Sequence, residues 1–246
     1  MKRDIVIITG ASRGLGEALT LAYLKRGSYV YGLSRGVSEE AKAAERFTAV
    51  NVDLSSAAEV EMAMHRLFEQ LDPASVEAIT LINNAAMLEP IAPIDQCGTD
   101  DIADHIHTGL LAPVLLTSLF IGKTREWALA KKLAIVTSGM ANYPTASMSL
   151  YCSVKAAVNI FTQSVRAEQR LAAHPVRVVA VDPGMIDTQM QVSARSHQGE
   201  EAFPLGAFFQ ESYEQEKLVP ADQVAARVIE LLDQEQDNEA IVRTYT

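Results

Sequence analysis

Cysteine is almost missing from this chain: Cys97 and Cys152 are the two present in 246 residues. They give neither a disulfide framework nor a metal-ligand spacing. An excess of positive charge is missing too. The 21 basic and 31 acidic side chains leave a net charge of −10, which argues against nucleic acid and anionic membrane as partners. Any anionic ligand therefore needs a local positive pocket. Long apolar runs are absent as well; Leu110 to Leu116, one of the longest, is broken by Pro113, so no membrane span is expected. After Met1-Lys2-Arg3-Asp4 the chain enters a strand pattern directly, without the apolar region of a signal peptide, and a cytoplasmic location is expected. No linker, repeat or low-complexity tract divides the chain, and it is read as a single domain, 1–246.

What is present is an alternation of β-branched runs and amphipathic helices. Asp4 to Thr9 reads as a strand buried on both faces. Gly10-x-x-x-Gly14-x-Gly16 follows at once, and then a helix with Leu15, Ala18, Leu19 and Ala22 on one side, ended by Lys25, Arg26 and Gly27. Strand, glycine turn and helix together make a pyrophosphate site, because the glycines let the backbone approach and the helix N-terminus offers unpaired N–H groups. Gly10, Ser12, Arg13, Gly14, Leu15 and Gly16 are its candidate residues.

Ser28 to Leu33 is a second strand, ending in Ser34-Arg35. An acidic residue at that place would accept from the ribose 2′-hydroxyl of NAD; a hydroxyl and a guanidinium suit the 2′-phosphate of NADP, and Arg13 can approach it from the other side. Phe47 to Val52 is a third strand, closed by Asp53-Leu54. Ser56-x-x-Glu59 is a capping-box pattern opening a helix with Val60, Met64, Leu67 and Phe68 inward. Ala78 to Ile82 is a fourth strand, running into Asn83-Asn84-Ala85-Ala86. This order predicts an α/β fold: a Rossmann-like doubly wound parallel sheet of about seven strands, helices on both faces, ligands at the carboxyl ends of the strands.

Ile135 to Ser138 reads as the end of a buried strand running out into a hydroxyl, and Tyr151-Cys152-Ser153-Val154-Lys155 as the start of a helix. Four residues apart on a helix is one face, so the Tyr151 phenol and the Lys155 ammonium should lie side by side. Lowering a phenol pKa by about three units takes about 4 kcal/mol, which a close ammonium and a bound cationic cofactor can jointly supply. With Ser138 holding a carbonyl oxygen while Tyr151 protonates it, half of a ketone reduction is in place; the other half is a hydride.

These residues, in this order and spacing over 4 to 190, resemble the short-chain dehydrogenase/reductase family: Thr9-Gly10-x-x-x-Gly14-x-Gly16, Asp53, Asn83-Asn84-Ala85, Ser138, Tyr151-x-x-x-Lys155 and Pro183-Gly184. The resemblance implies that Asp53 and Leu54 contact the adenine of NADP(H) and that Asn84 and Ala85 support the cofactor side. It implies that Tyr151 and Lys155 also bind the nicotinamide ribose, and that Pro183, Gly184, the Ile186 backbone and the Thr188 hydroxyl hold the nicotinamide end. It assigns catalysis to Ser138, Tyr151 and Lys155, with no metal, and implies a homodimer or homotetramer through the helix over 154–171. Two positions depart from the family pattern. Ala86 stands where a glycine is usual, and Gly109 where an asparagine usually lends its carbonyl to a water-mediated proton relay. Pro113, lacking an N–H for the Gly109 carbonyl, is expected to open the helix there and compensate. His105 and His107, nearby, read as surface or packing residues.

Met140, Tyr143, Pro144 and Met148, in a loop over 139–150, are candidates for an apolar substrate pocket or for loop packing. Residues 191–219 read as an irregular substrate lid, Pro220 to Leu232 as the last helix and Ala240 to Tyr245 as the last strand. Pro183 to Gln191 and Glu216 to Val219 resemble the sepiapterin and benzil reductase subgroup. However, Arg243 occupies the place of the aspartate that anchors a pterin, and a guanidinium cannot accept its hydrogen bonds. The function expected is NADPH-dependent reduction of a small-molecule ketone or aldehyde, a 1,2-diketone among the candidates. A non-catalytic NADP-binding regulatory protein, a sepiapterin-type pterin reductase and, more weakly, a sugar-nucleotide epimerase are the alternatives.

Overall fold

A strand that is apolar on both faces needs cover on both, and alternation of its side chains decides which cover each residue meets. In β1 (Arg3–Thr9), Ile5 and Ile7 join one core and Val6 and Ile8 the other, all at 1% exposure or less. The structure is a computed structural model and describes residues 2–197, 203–234 and 240–244.

β1 leads to α1 (Gly14–Lys25), β2 (Tyr29–Ser34), the single turn α2 (Glu39–Lys42), β3 (Phe47–Asn51), α3 (Ala57–Glu69) and β4 (Val76–Asn83). α4 (Thr99–Ile106) passes through a π-helical stretch, His107–Leu111, into α5 (Ala112–Lys123); β5 (Ala130–Val136), α6 (Ser149–Gln169) and β6 (Arg177–Asp182) follow. The last third holds β7 (Ile186–Asp187), α7 (Gln189–Ser196), α8 (Leu205–Glu214), β8 (Val219–Pro220), α9 (Ala221–Asp233) and β9 (Ile241–Arg243).

The sheet runs β3-β2-β1-β4-β5-β6-β9, every pairing parallel. This is the seven-strand, doubly wound Rossmann-like fold that the sequence predicts. On one face, Val60, Met64, Leu116, Phe120 and Val158 from α3, α5 and α6 pack against Ile5, Ile7, Ile79 and Leu81. On the other, Leu19 of α1 and Val228 and Ile229 of α9 pack against Val6, Ile8 and Ile82. Strand order reverses between β1 and β4, so the crevice lies at the tips of those strands, where ligands bind in open α/β sheets.

Several local expectations differ. Thr99 and Asp100, the capping residue types at the start of α4, lie inside the helix, and Gly98 caps it with no side-chain bond. Ser56 caps α3, but Glu59 reaches the Asp53 N–H at 2.9 Å instead of closing the box on Ser56. Residues 191–219 are not irregular: α7 and α8 occupy most of what is described there. Residues 198–202 of that segment, and Tyr245 at the end of the expected last strand, lie outside the described residues. The 25 residues of α4, the π stretch and α5 form a run long and apolar enough by composition to cross a membrane. Here it lies against the sheet, with Leu116 and Phe120 in the core.

Candidate active site

The crevice begins at Thr9. Its hydroxyl oxygen accepts from the backbone N–H groups of Asn84 and Ala85, at 2.9 and 3.0 Å, while the Asn84 side-chain amide donates to the Thr9 carbonyl at 3.0 Å. The tips of β1 and β4 are thereby tied together. Gly10 and Gly14 have φ of +67° and +58°, a region that L side chains rarely adopt. At Gly16 a Cβ would stand 2.1 Å from the Gly10 carbonyl oxygen and 2.6 Å from Asn84 Nδ2, so the turn closes only on glycine. α1 starts at Gly14, directing its first N–H groups outward at the turn. A Cβ on Gly14 would lie 3.3 Å from Thr188 Cγ2, which brings the glycine turn and the 186–188 segment face to face across the crevice. That backbone cradle fits a dinucleotide.

Ser12 is half-buried beside the turn; Leu15 and Leu54 turn their side chains into the two cores. Arg13 and Arg35 are both exposed. Asp53 accepts from the Ser55 N–H and hydroxyl at 3.0 and 2.9 Å, and those bonds, with Arg35 nearby, hold its carboxyl below the usual range. Ser34 donates its proton to the Gly36 carbonyl of its own turn at 2.6 Å, leaving the two arginines as the positive groups at this end. Gly184, at φ +72°, follows Pro183, whose carbonyl accepts from Thr244, and Ile186 is paired with Val219 of β8.

The three expected catalytic residues come together. Ser138, just beyond β5, accepts from the Met140 N–H at 3.2 Å and hydrogen-bonds the Tyr151 hydroxyl. Lys155 Nζ lies 5.7 Å from the Tyr151 ring centroid, so the one-face spacing holds. The electrostatics do not follow the simple expectation. Burial pushes the phenol above its ordinary value, the Ser138 bond opposes that, and the Asp182 carboxylate adds to the rise. Burial also brings Lys155 down to about 8, against the pull of Asp182, and its ammonium donates to the Val136 carbonyl at 2.8 Å. Among these protein groups, then, burial is the largest influence on the phenol, and the net shift is upward rather than the downward one expected from an adjacent amine.

The helix opposite is not regular at Gly109. The π stretch places Gly109 at its centre, with the Ala112 N–H reaching back to the His107 carbonyl, and Pro113 has no N–H to offer the Gly109 carbonyl. The expected opening of the helix is present. His105 is the packing residue, at 1% exposure, its ring edge-on to Tyr151 with centroids 6.5 Å apart.

Over Tyr151 stands a third apolar cluster: Leu88, Ile91, Met148, Ala194, Phe203 and Phe209, with Met140, Cys152 and Leu205 against it. Met140 and Met148 thus belong to the wall beside the phenol. Tyr143, 68% exposed, is not among the residues of this cluster. Sequence reasoning missed Asp182, which faces both Tyr151 and Lys155; an acid ending a buried strand was the available signal. It also missed Glu89, for which a lone exposed carboxylate gave none.

The family profile described as short chain dehydrogenase matches residues 4–199. A benzil reductase ((S)-benzoin forming) of Bacillus cereus is 34% identical over 236 residues, 94% of each chain. A sepiapterin reductase of Xenopus tropicalis is 28% identical over 246 residues, 93% of this chain and 91% of its own. The crystal structure of the KRED1-Pglu enzyme superposes with a TM-score of 0.81 at 26% identity, over 97% of this chain and 100% of that one.

Proposed function

The chain belongs to the short-chain dehydrogenase family, and on that premise we propose that it is an NADPH-dependent carbonyl reductase for ketones or aldehydes with apolar flanks, 1,2-diketones among them. The observation that carries the reading is the Tyr151 hydroxyl, bonded to Ser138 beneath the cluster of Leu88, Ile91, Met148, Phe203 and Phe209. Those walls bring no charge to the substrate and exclude water, which favours a carbonyl carrying apolar or aromatic groups. NADPH, when bound, supplies hydride for the carbonyl carbon.

The chain supplies the rest. Gly10, Gly14, Gly16 and the start of α1 hold the pyrophosphate; Arg13 and Arg35 favour a 2′-phosphate over a free hydroxyl; Asp53 and Leu54 receive the adenine; Ile186 and Thr188 hold the carboxamide. Ser138 orients the substrate oxygen and Tyr151 gives it a proton. Lys155 steadies the ribose and the phenolate that forms, a charge that burial alone makes costly. α7 and α8 act as the lid. Self-association through α6, where Ile160 is 65% exposed, completes the reading as a cytoplasmic homodimer or homotetramer. Absorbance of NADPH followed across a panel of ketones, aldehydes and 1,2-diketones tests it: consumption by the wild type and none by Tyr151→Phe supports the reductase. NADPH binding without consumption across the panel supports a non-catalytic binder instead.

A further inference from the structure

Glu89 makes contacts in three directions. Its carboxylate accepts from the Ile91 N–H at 3.1 Å, which folds it back over its own loop, and from the Ser193 hydroxyl on α7. Its backbone carbonyl lies 2.9 Å from Nδ1 of His105 on α4. A carbonyl oxygen can only accept, so Nδ1 carries the hydrogen. Burial holds the imidazole below its ordinary value, the Glu89 bond opposing that and the charge of Lys155 adding to it, which favours the neutral ring with its hydrogen on Nδ1. The same ring stands at 82° to Tyr151, edge to face. A continuous line of contacts therefore runs from Ser193 on the lid helix, through Glu89 and His105, to the phenol.

We propose that Glu89 and His105 are positioning residues forming a strut that couples the seating of α7 to the orientation of the Tyr151 ring. Ala194, next to Ser193, lies in the apolar cluster that covers the phenol, so a substrate packed against that cluster presses on the helix that holds one end of the strut. The other end bears on the side of the ring that must aim its hydroxyl at the substrate oxygen. The inference rests on the reductase reading for its catalytic consequence, but not for the mechanical link itself.

The test is a double-mutant cycle between Ser193 and His105, which the hydrogen bonds among the described residues connect through Glu89. In full-length protein with NADPH and benzil as probe, Ser193→Ala and His105→Phe, the latter keeping a ring but losing the Nδ1–H, are each expected to lower kcat about tenfold. The double variant should fall no further than about tenfold, because either change alone already cuts the strut, and Glu89→Gln, which keeps the accepting oxygen, should restore most of what Glu89→Ala loses. Additive losses, or kcat within twofold of wild type, overturn the strut. Amide exchange supplies an arm free of turnover and of any failure of His105→Phe to fold: Ser193→Ala should raise exchange several-fold at residues 102–106. Unchanged exchange there overturns the strut even if the wild type proves inactive, whereas raised exchange in an enzyme that reduces nothing sinks only the reductase reading.

Discussion

Val154 fills the space that a side chain at position 109 would need: a Cβ on Gly109 would stand 2.7 Å from Val154 Cγ1. Val154 is buried and directly precedes Lys155, so this contact sets how closely the π stretch approaches Lys155. A larger residue at position 109 would therefore crowd Val154 of α6, and the glycine is a fit between two helices. Gly109→Asn should destabilise the protein by about 1–3 kcal/mol through overpacking, and Val154→Ala in the same chain should relieve most of it. Urea denaturation of the two single variants and the double measures this.

Lys155 gives a pH signature in stability. Its pKa is about 8 in the folded chain against the ordinary 10.5, so between those values the unfolded chain binds more protons and stability contributed by this group rises with pH. At neutral pH the ammonium is buried at a cost that Lys155→Met avoids. The advantage of Lys155→Met over wild type should shrink by about 2 kcal/mol from about pH 7 to about pH 9.5. Denaturation midpoints of both proteins at the two pH values show it; a gap that stays constant or widens contradicts the assignment.

Asp182 raises the proton affinity of both Tyr151 and Lys155 and accepts from the Gly184 N–H at 3.1 Å. Asp182→Asn keeps an accepting oxygen for Gly184 and removes the charge. Both groups should then release protons more easily. Since carbonyl reduction needs the protonated phenol, the alkaline limb of kcat/KM should move to lower pH, and an unmoved or upward-moving limb would remove Asp182 from the electrostatics of the site.

On the proposed reading, Arg13 and Arg35 favour a phosphorylated dinucleotide. Removing either by substitution with Ala should weaken NADPH binding about tenfold or more, the worth of a charge-assisted contact, and leave NADH nearly untouched. Fluorescence titration with both dinucleotides separates this from a general loss of affinity, which would place the arginines elsewhere.

The sheet and the residues at its strand tips were legible because each rests on a local rule. β-branched runs need cover on two faces, a turn as tight as Gly10 to Gly16 admits only glycine, and a spacing of four puts Tyr151 above Lys155. Gly109 and Pro113 together also signalled the break in the long helix. α7 was not legible, since its run of Gln189 to Ser196 has little apolar periodicity; Ala194 in the third cluster, Ser193 on Glu89 and Arg195 over the Tyr213 ring at 4.0 Å fix it from outside. The direction of the phenol shift was hidden for a similar reason. Spacing reports that an amine is near, but the depth of burial and the approach of Asp182 from β6 are properties of the assembled fold.

The Thr9 hydroxyl, gripped by two amides just beyond the neighbouring β4, acts as a rivet through the floor of the crevice. A floor fastened in this way does not yield when a long, flexible nucleotide enters or leaves. Any give would then fall to the opposite jamb, where α7 is held by side chains: Ser193 on Glu89, Ala194 in the apolar cluster and Arg195 over the Tyr213 ring.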